Sequence, residues 1–76
     1  HQMLIPNPAK DACRIYGLNI NGENLIRLKE LGGRVIWEVS VGKETAEIPL
    51  HNLSTGIYLV EIIGQGYREV HKLVKH

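Results

Sequence analysis

The sequence of 76 residues contains a single cysteine, Cys13, and only four histidines, two of them at the ends of the chain. One cysteine cannot form an internal disulfide, and no cysteine or histidine spacing matches a zinc site. A nucleophilic pair of Cys13 with a histidine is disfavoured, because a free cysteine on a strand is usually a small buried hydrophobe. The sequence therefore predicts no metal, no cofactor and no catalytic residue. The histidines are His1, His51, His71 and His76.

Long apolar runs and charge of one sign are also lacking. No stretch approaches the ~20 apolar residues that a transmembrane helix needs, and residues 1–8 lack the basic and apolar regions of a secretory signal peptide. The protein is then either cytosolic or a piece of a longer precursor. The net charge is +1 and the charges alternate in sign along the chain, which predicts no nucleic-acid partner.

The length of the chain suffices for one domain with a thin core, because a chain of this size buries roughly 60% of its unfolded surface. A deep pocket has little room in such a domain, so we expect no small-molecule substrate. Residues 1–4 are interpreted as a vector-derived remnant or the end of a linker, and residues 5–76 as the domain.

The clearest strand pattern surrounds Trp37. Period-two alternation of β-branched and aromatic residues indicates a strand buried on one face. Ile36 is apolar on the other face and is the exception to the alternation. The predicted inward residues are Val35, Trp37, Val39 and Val41.

Residues 57–63 form the second clear run and are apolar on both faces apart from Glu61. Such a run is typical of a central strand that is covered on both sides. The short loop at residues 64–66 contains two glycines and predicts a hairpin with residues 67–75. Shorter strands are expected at residues 12–16 and at residues 44–48.

Residues 24–31 are ambiguous from the local pattern. They contain good helix formers, with Asn24 as a possible N-cap and Gly32 as the residue after the helix. The strand interpretation places Gly32 and Gly33 in a two-residue type I′ turn, which needs positive φ at both positions. Both interpretations remain open at this stage.

The number and spacing of these runs predict an all-β fold, a small immunoglobulin-like antiparallel β-sandwich of six to seven strands. Trp37 and residues 57–63 are expected in its core, where Trp37 is more often a packing residue than a ligand platform. The basic residues near the C-terminus are explained equally well by an acidic receptor groove and by protection of an edge strand. These residues are Arg68, Lys72 and Lys75.

Four short motifs follow one another along the chain and together resemble a known family. They comprise Pro6, Asn7 and Pro8; Gly33 and Arg34; Gly56, Ile57 and Tyr58; and Lys72, Leu73, Val74 and Lys75. Their order is similar to that of the type A C-terminal sorting domain of the type IX secretion system in Bacteroidetes. The chain departs from the family pattern at two turns. It has Glu30, Leu31 and Gly32 where the family often has Asp before the Gly-Arg turn, and Thr55 where the family often has Pro.

The resemblance implies a delivery domain and not an enzyme. Its implied partners are the type IX translocon, outer-membrane shuttle proteins, a sortase-like peptidase that removes the domain, and a parent cargo domain upstream. The implied localisation is the periplasm in transit, then the cell surface or the medium. A signal peptide would lie far upstream, and the cut would lie on the N-terminal side of Pro6.

The resemblance also implies roles for the motif residues. Pro6 and Pro8 would rigidify the chain before the first strand, and Gly33 would supply positive φ before Arg34 starts the next strand. Gly56 would let the chain turn into the central strand. The exposed end of the last strand, residues 72–75, would be the recognition surface, because a strand edge can be read by β-augmentation.

Two rival functions remain from the residues alone. One is a stand-alone adhesion or carbohydrate-binding sandwich, and the other is an accessory domain that packs on a catalytic neighbour. The position of the domain in its precursor distinguishes them, since a sorting domain must come last and a binding module can lie anywhere.

Overall fold

A computed structural model describes residues 2–76 and contains seven β-strands in two sheets. β1, β2 and β5 form one sheet in that order, and the other has the order β4-β3-β6-β7. All of these strand pairs are antiparallel, which confirms the predicted immunoglobulin-like sandwich. The strands are β1 (Met3–Ile5), β2 (Ala12–Tyr16), β3 (Asn24–Glu30), β4 (Val35–Val41), β5 (Ala46–Pro49), β6 (Gly56–Gly64) and β7 (Tyr67–Lys75).

The core lies between the two sheets, where alternate residues of the strands point inward. Trp37 is only half-buried but packs against this core, so its predicted location is confirmed. Cys13 is buried as well, as expected for a free cysteine on a strand. The largest fully buried aliphatic side chains are Ile15, Ile26, Leu28, Ile48, Leu50, Val60, Ile62 and Leu73.

The ambiguous segment is strand β3, and not a helix. It pairs with β4 on one side and with β6 on the other, so both edges of its backbone are hydrogen-bonded. Ile26 and Leu28 are completely buried, while Arg27 and Lys29 are only partly so. Pairing on both sides outweighs the modest helix propensity of these residues.

The β3–β4 connection is longer than the predicted two-residue type I′ turn, so that prediction is wrong. The Gly33 N–H donates to the Glu30 carbonyl oxygen over 2.9 Å, and the Glu30 N–H donates to the Arg34 carbonyl oxygen over 2.9 Å. Gly33 has a φ of +101°, as predicted, whereas Gly32 does not have positive φ. These bonds close a three-residue loop, residues 31–33, whose last residue has positive φ.

Ile36 breaks the alternation of β4 because a β-bulge occurs there. Leu28 pairs with Trp37 and the next residue, Lys29, pairs with Val35, which leaves Ile36 without a partner of its own. Ile36 and Trp37 both pack against the core, and Val35 is 41% exposed. The prediction that Val35 shares the inward face is therefore wrong.

β6 lies between β3 and β7, and its hairpin with β7 is confirmed. Tyr58, Val60 and Ile62 point into the core, but Ile57 is 44% exposed, so its expected core location is wrong. The prediction of a strand covered on both sides is also wrong, since the other sheet covers only one face.

The chain before Pro6 belongs to the sandwich, because Met3–Ile5 is β1 and pairs with β2. Pro6 and Pro8 therefore lie between the first two strands, and not before the first one. Gln2 is buried, with its Oε1 3.4 Å from His71 Nε2. The separate origin of residues 1–4 stays a prediction, and His1 lies outside the described residues.

We predict that Gly33→Ala destabilises the domain by about 1–2 kcal/mol, because a side chain is disfavoured at this positive φ. Thermal melting should show a midpoint lowered by about 4–8 °C per kcal/mol in a domain of this size. Gly32→Ala is the matched control, since Gly32 lacks positive φ and no atom lies within 4 Å of the added Cβ. Equal midpoints for both variants would contradict the assigned turn.

Candidate functional site

The structure brings the four sequence motifs to one end of the four-stranded sheet. The β3–β4 hairpin, which contains Gly33 and Arg34, begins where Glu30 pairs with Tyr58 at the start of β6. Tyr58 pairs in turn with Leu73 at the end of β7. Motifs that lie apart in the chain thus share one end of the fold.

Arg34 lies one residue before β4, where its guanidinium forms a bidentate pair with Glu30. Its Nη2 lies 2.6 Å from Glu30 Oε2, and its Nε lies 3.0 Å from Oε1. The hydrogen bond from Arg34 lowers the pKa of Glu30 below its usual value. The pair spans the loop between β3 and β4 at the exposed surface, so its effect on stability is small.

Tyr58 anchors the start of β6. Its ring is buried, and its hydroxyl donates to the Ser54 carbonyl oxygen over 2.6 Å. A tyrosine near the start of this strand that bonds backbone a few residues upstream is the tyrosine corner of immunoglobulin-like sandwiches. The motif that contains Gly56 and Tyr58 thus has a structural role in this chain, and Gly56 is the first residue of β6.

The side chain of Asn7 completes the free edge of β7. Its Nδ2 donates to the Lys72 carbonyl oxygen over 2.8 Å, and its Oδ1 accepts the Val74 N–H over 3.0 Å. The amide thus replaces the peptide group that a neighbouring strand would supply. Pro6 and Pro8 flank Asn7, and the peptide bonds before both prolines are cis.

Ala9 extends the contact of Asn7 with β7, and the two residues together with the end of β7 form a seam. The Ala9 N–H donates to the Val74 carbonyl oxygen, the His76 N–H donates to the Ala9 carbonyl oxygen, both over 2.8 Å, and Ala9 forms a parallel bridge with Lys75. Much of the backbone edge at the end of β7 is therefore already bonded within the domain. Asn7 and Ala9 protect this edge directly. Edge protection is also one of the two roles expected for Arg68, Lys72 and Lys75.

The last motif alternates between the two faces of the sheet. Leu73 is completely buried, and Lys75 is 8% exposed with its Nζ donating to the His76 carbonyl oxygen over 3.0 Å. Lys72 and Val74 point away from the core. Recognition of this motif by the translocon stays a prediction, and of its two lysines only Lys72 is exposed.

Glu61 is an ion-pair centre on the face of β6 that points away from the core. It is 3% exposed, and its Oε2 accepts a hydrogen bond from Arg68 Nε. Lys29 Nζ lies 3.1 Å from Oε1, and Arg27 Nη1 lies 3.5 Å from it. The hydrogen bond from Arg68 and the contact with Lys29 lower the pKa of Glu61 below its usual 4.5, although burial opposes the shift.

The remaining residues that could act as a nucleophile or bind a metal do not form a site within residues 2–76. Burial raises the pKa of Cys13 to about 11, so its thiol stays protonated at neutral pH and is a poor nucleophile. Residues 2–76 contain no group of three or more His, Cys, Asp or Glu side chains that would suit a metal ion. Within the same residues, no helix is long and apolar enough to cross a membrane.

Sequence reasoning missed the roles of Asn7 and Glu61. Glu61 is visible in the sequence as the lone charge in an apolar run, but its partner Arg27 lies in residues 24–31, whose local pattern fits both a helix and a strand. The bonds of Asn7 to β7 span 65 and 67 positions along the chain, so no local pattern indicates them.

Comparison with known proteins assigns the chain to a class. A family model described as the secretion system C-terminal sorting domain matches residues 3–76. The chain therefore belongs to this family, which is the family of type IX secretion signals that the four motifs indicated. Membership fits the prediction of a delivery domain that is not an enzyme. A search of curated proteins finds no match.

A solved structure supports the fold. It is a structure of PorZ, which is described as an essential bacterial surface component of the type IX secretion system of Porphyromonas gingivalis. The TM-score is 0.83 at 14% sequence identity, and the match covers 99% of this chain. The chain spans 11% of the PorZ chain, so the similarity concerns one domain of that protein.

We predict that Asn7→Asp lowers the free energy of unfolding by about 1–2 kcal/mol. The second carboxylate oxygen would face the Lys72 carbonyl oxygen, where the amide now donates. Chemical denaturation measures the change, and Asn52→Asp is the matched control because Asn52 is exposed in a turn. If Asn7→Asp were as stable as the control, the Asn7 side chain would not hold the edge of β7.

We predict that Glu61 makes the domain sensitive to acid. Its pKa is lowered in the folded state, so its contribution is complete above about pH 4.5 and is lost as the pH falls through the lower folded value. Glu61→Gln should therefore melt at a lower temperature at pH 7, with the difference from the unaltered chain shrinking toward pH 3. A difference independent of pH would contradict the ion-pair role.

Proposed function

We propose that this chain directs its parent protein across the outer membrane by the type IX route. Family membership supports the sorting role, and the single observation that carries the route is the convergence of all four motifs at one end of the sheet. The parent cargo domain would precede the sandwich. The alternative of a stand-alone adhesion or carbohydrate-binding module is disfavoured by the family assignment.

The proposed partners are the outer-membrane translocon and its shuttle proteins, which would bind the folded domain in the periplasm. A sortase-like peptidase at the cell surface would then release the cargo. We infer that the cut avoids Met3–Ile5, because β1 is hydrogen-bonded to β2 and a peptidase needs an accessible, extended chain. The cargo would remain at the cell surface or enter the medium.

The motif residues divide into two groups under this proposal. Asn7, Tyr58 and Leu73 would act indirectly, because their contacts hold the motif end of the sheet together. Arg34 and Lys72 present exposed charges there and are the residues that a partner can contact directly. Recognition and stability should therefore be separable by substitution.

A fusion tests the sorting role. It carries a cleavable signal peptide, a fluorescent passenger and residues 2–76, and it is expressed in a bacterium with a working type IX system. The passenger should reach the surface or the medium, whereas a translocon mutant should retain it in the periplasm. The same passenger without residues 2–76 is the control. Retention of the full fusion in the wild-type strain would overturn the sorting proposal.

Lys72→Ala in this fusion tests the exposed charge of the last motif. The side chain is exposed and the edge bonds of Lys72 use its backbone, so the melting temperature should change little. A loss of export would then assign recognition to the Lys72 ammonium group. Lys43→Ala, in the exposed loop after β4, is the matched control. Unchanged export of Lys72→Ala would leave that charge without a role in recognition.

A further inference from the structure

The outer face of the four-stranded sheet is unusually apolar for a surface. This face consists of the side chains of β3, β4, β6 and β7 that point away from the other sheet. β6 supplies Ile57, Leu59 and Ile63 to it, and β7 supplies Val70, which is 44% exposed. An antiparallel sheet with one solvated face normally alternates apolar and polar residues. Exposed aliphatic residues on the second face of β6 form the kind of apolar patch that marks an interaction surface.

Positive charge dominates the polar part of the outer face. Its cations are Arg27 and Lys29 on β3 and Arg68 and Lys72 on β7. Only two carboxylates lie among them, Glu61 and Glu38, although the whole chain has a net charge of only +1. The outer face is thus the positive side of the domain.

Glu61 holds three of these four cations in place. Arg27, Lys29 and Arg68 converge on its carboxylate from the two neighbouring strands, and this carboxylate is nearly inaccessible to solvent. One buried negative charge therefore contacts three cations, and one of them, Arg27, also donates from its Nε to Glu38 Oε1 over 3.2 Å. Side chains ordered before binding lose less conformational entropy when a partner arrives.

We propose that the outer face docks an acidic protein surface of the secretion machinery, one that carries aliphatic side chains between its carboxylates. The proposal rests on the proposed sorting function and adds a surface to it. A second copy of this chain is disfavoured as the occupant, because face-to-face packing would place like charges opposite one another. An anionic membrane is disfavoured because, within residues 2–76, no tryptophan or tyrosine lies on this face.

Substitutions at Val70 test the docking surface. Val70 lies on the outer face, outside the four motifs and outside the Glu61 ion pairs, and it neighbours Glu61 across the β6–β7 ladder. Val70→Glu adds repulsion toward an acidic partner, whereas Val70→Lys adds attraction with a side chain of similar length. The matched control is Ile20, which is 67% exposed in the loop between β2 and β3.

The readout is the exported fraction of the fluorescent fusion, with melting temperatures to show that each variant folds. Val70→Glu should lower export about tenfold or more, the effect of at least 1.4 kcal/mol of lost affinity. Val70→Lys should stay within about twofold of the unaltered fusion, as should Ile20→Glu and Ile20→Lys. Equal export of both Val70 variants, whether retained or lost, would overturn an acidic partner at this face.

A crosslinking experiment separates this proposal from the sorting proposal. A photoreactive benzoylphenylalanine replaces Val70 in the fusion held in the periplasm of a translocon mutant, and position 20 serves as the control. A discrete protein adduct should form from position 70 only, and should persist with Ser40→Lys but not with Ser40→Glu, since Ser40 lies exposed on the same face. No adduct, or the same adduct from position 20, would overturn the surface even if export succeeds.

Two further outcomes assign the face to another occupant and overturn the proposal. An adduct with twice the mass of the fusion would identify a second copy. Sedimentation of the purified chain with phosphatidylglycerol vesicles, abolished by Val70→Glu and kept by Val70→Lys, would identify an anionic membrane. If the unaltered fusion is not exported but the charge-dependent adduct forms, the docking surface stands and the sorting role fails.

Discussion

The seam between Asn7, Ala9 and the end of β7 joins the beginning of the domain to its end. A strand at the edge of a sheet leaves alternate N–H and C=O groups without partners, and such an edge invites association with other chains. Here one side-chain amide and the backbone of one residue bond the edge groups at the C-terminal end of β7, from Lys72 to His76. The close packing of Leu73 and Tyr58 behind the seam depends on β7 staying in its register.

The sequence was sufficient to predict the fold class, because burial on one face imposes alternation on residues such as Val39 and Val41. It did not decide between helix and strand for β3, since that choice depends on pairing with β4 and β6. For a related reason the bulge at Ile36 was not predicted, and the length of the Gly33 loop was predicted wrongly. Strand register is set by the whole sheet, and the local pattern does not contain it.

The candidate site could likewise be predicted only where it does not depend on strand register. The motif residues were identified by their order in the chain, but their convergence at one end of the sheet required the pairing of β3, β6 and β7. Glu61 was noticed only as an exception in an apolar run, and its three cationic partners could be assigned only with the register known. The exposure of Ile57 was missed because an apolar run does not show which of its two faces is covered.

Closing the sandwich with its last strand has a consequence for biosynthesis. Ribosomes make β7 after every other strand, and Asn7 and Ala9 have no partner until it is present. A polypeptide interrupted before β7 would lack both the closing seam and the assembled motif end. Formation of the motif end therefore requires a chain that has been translated through β7.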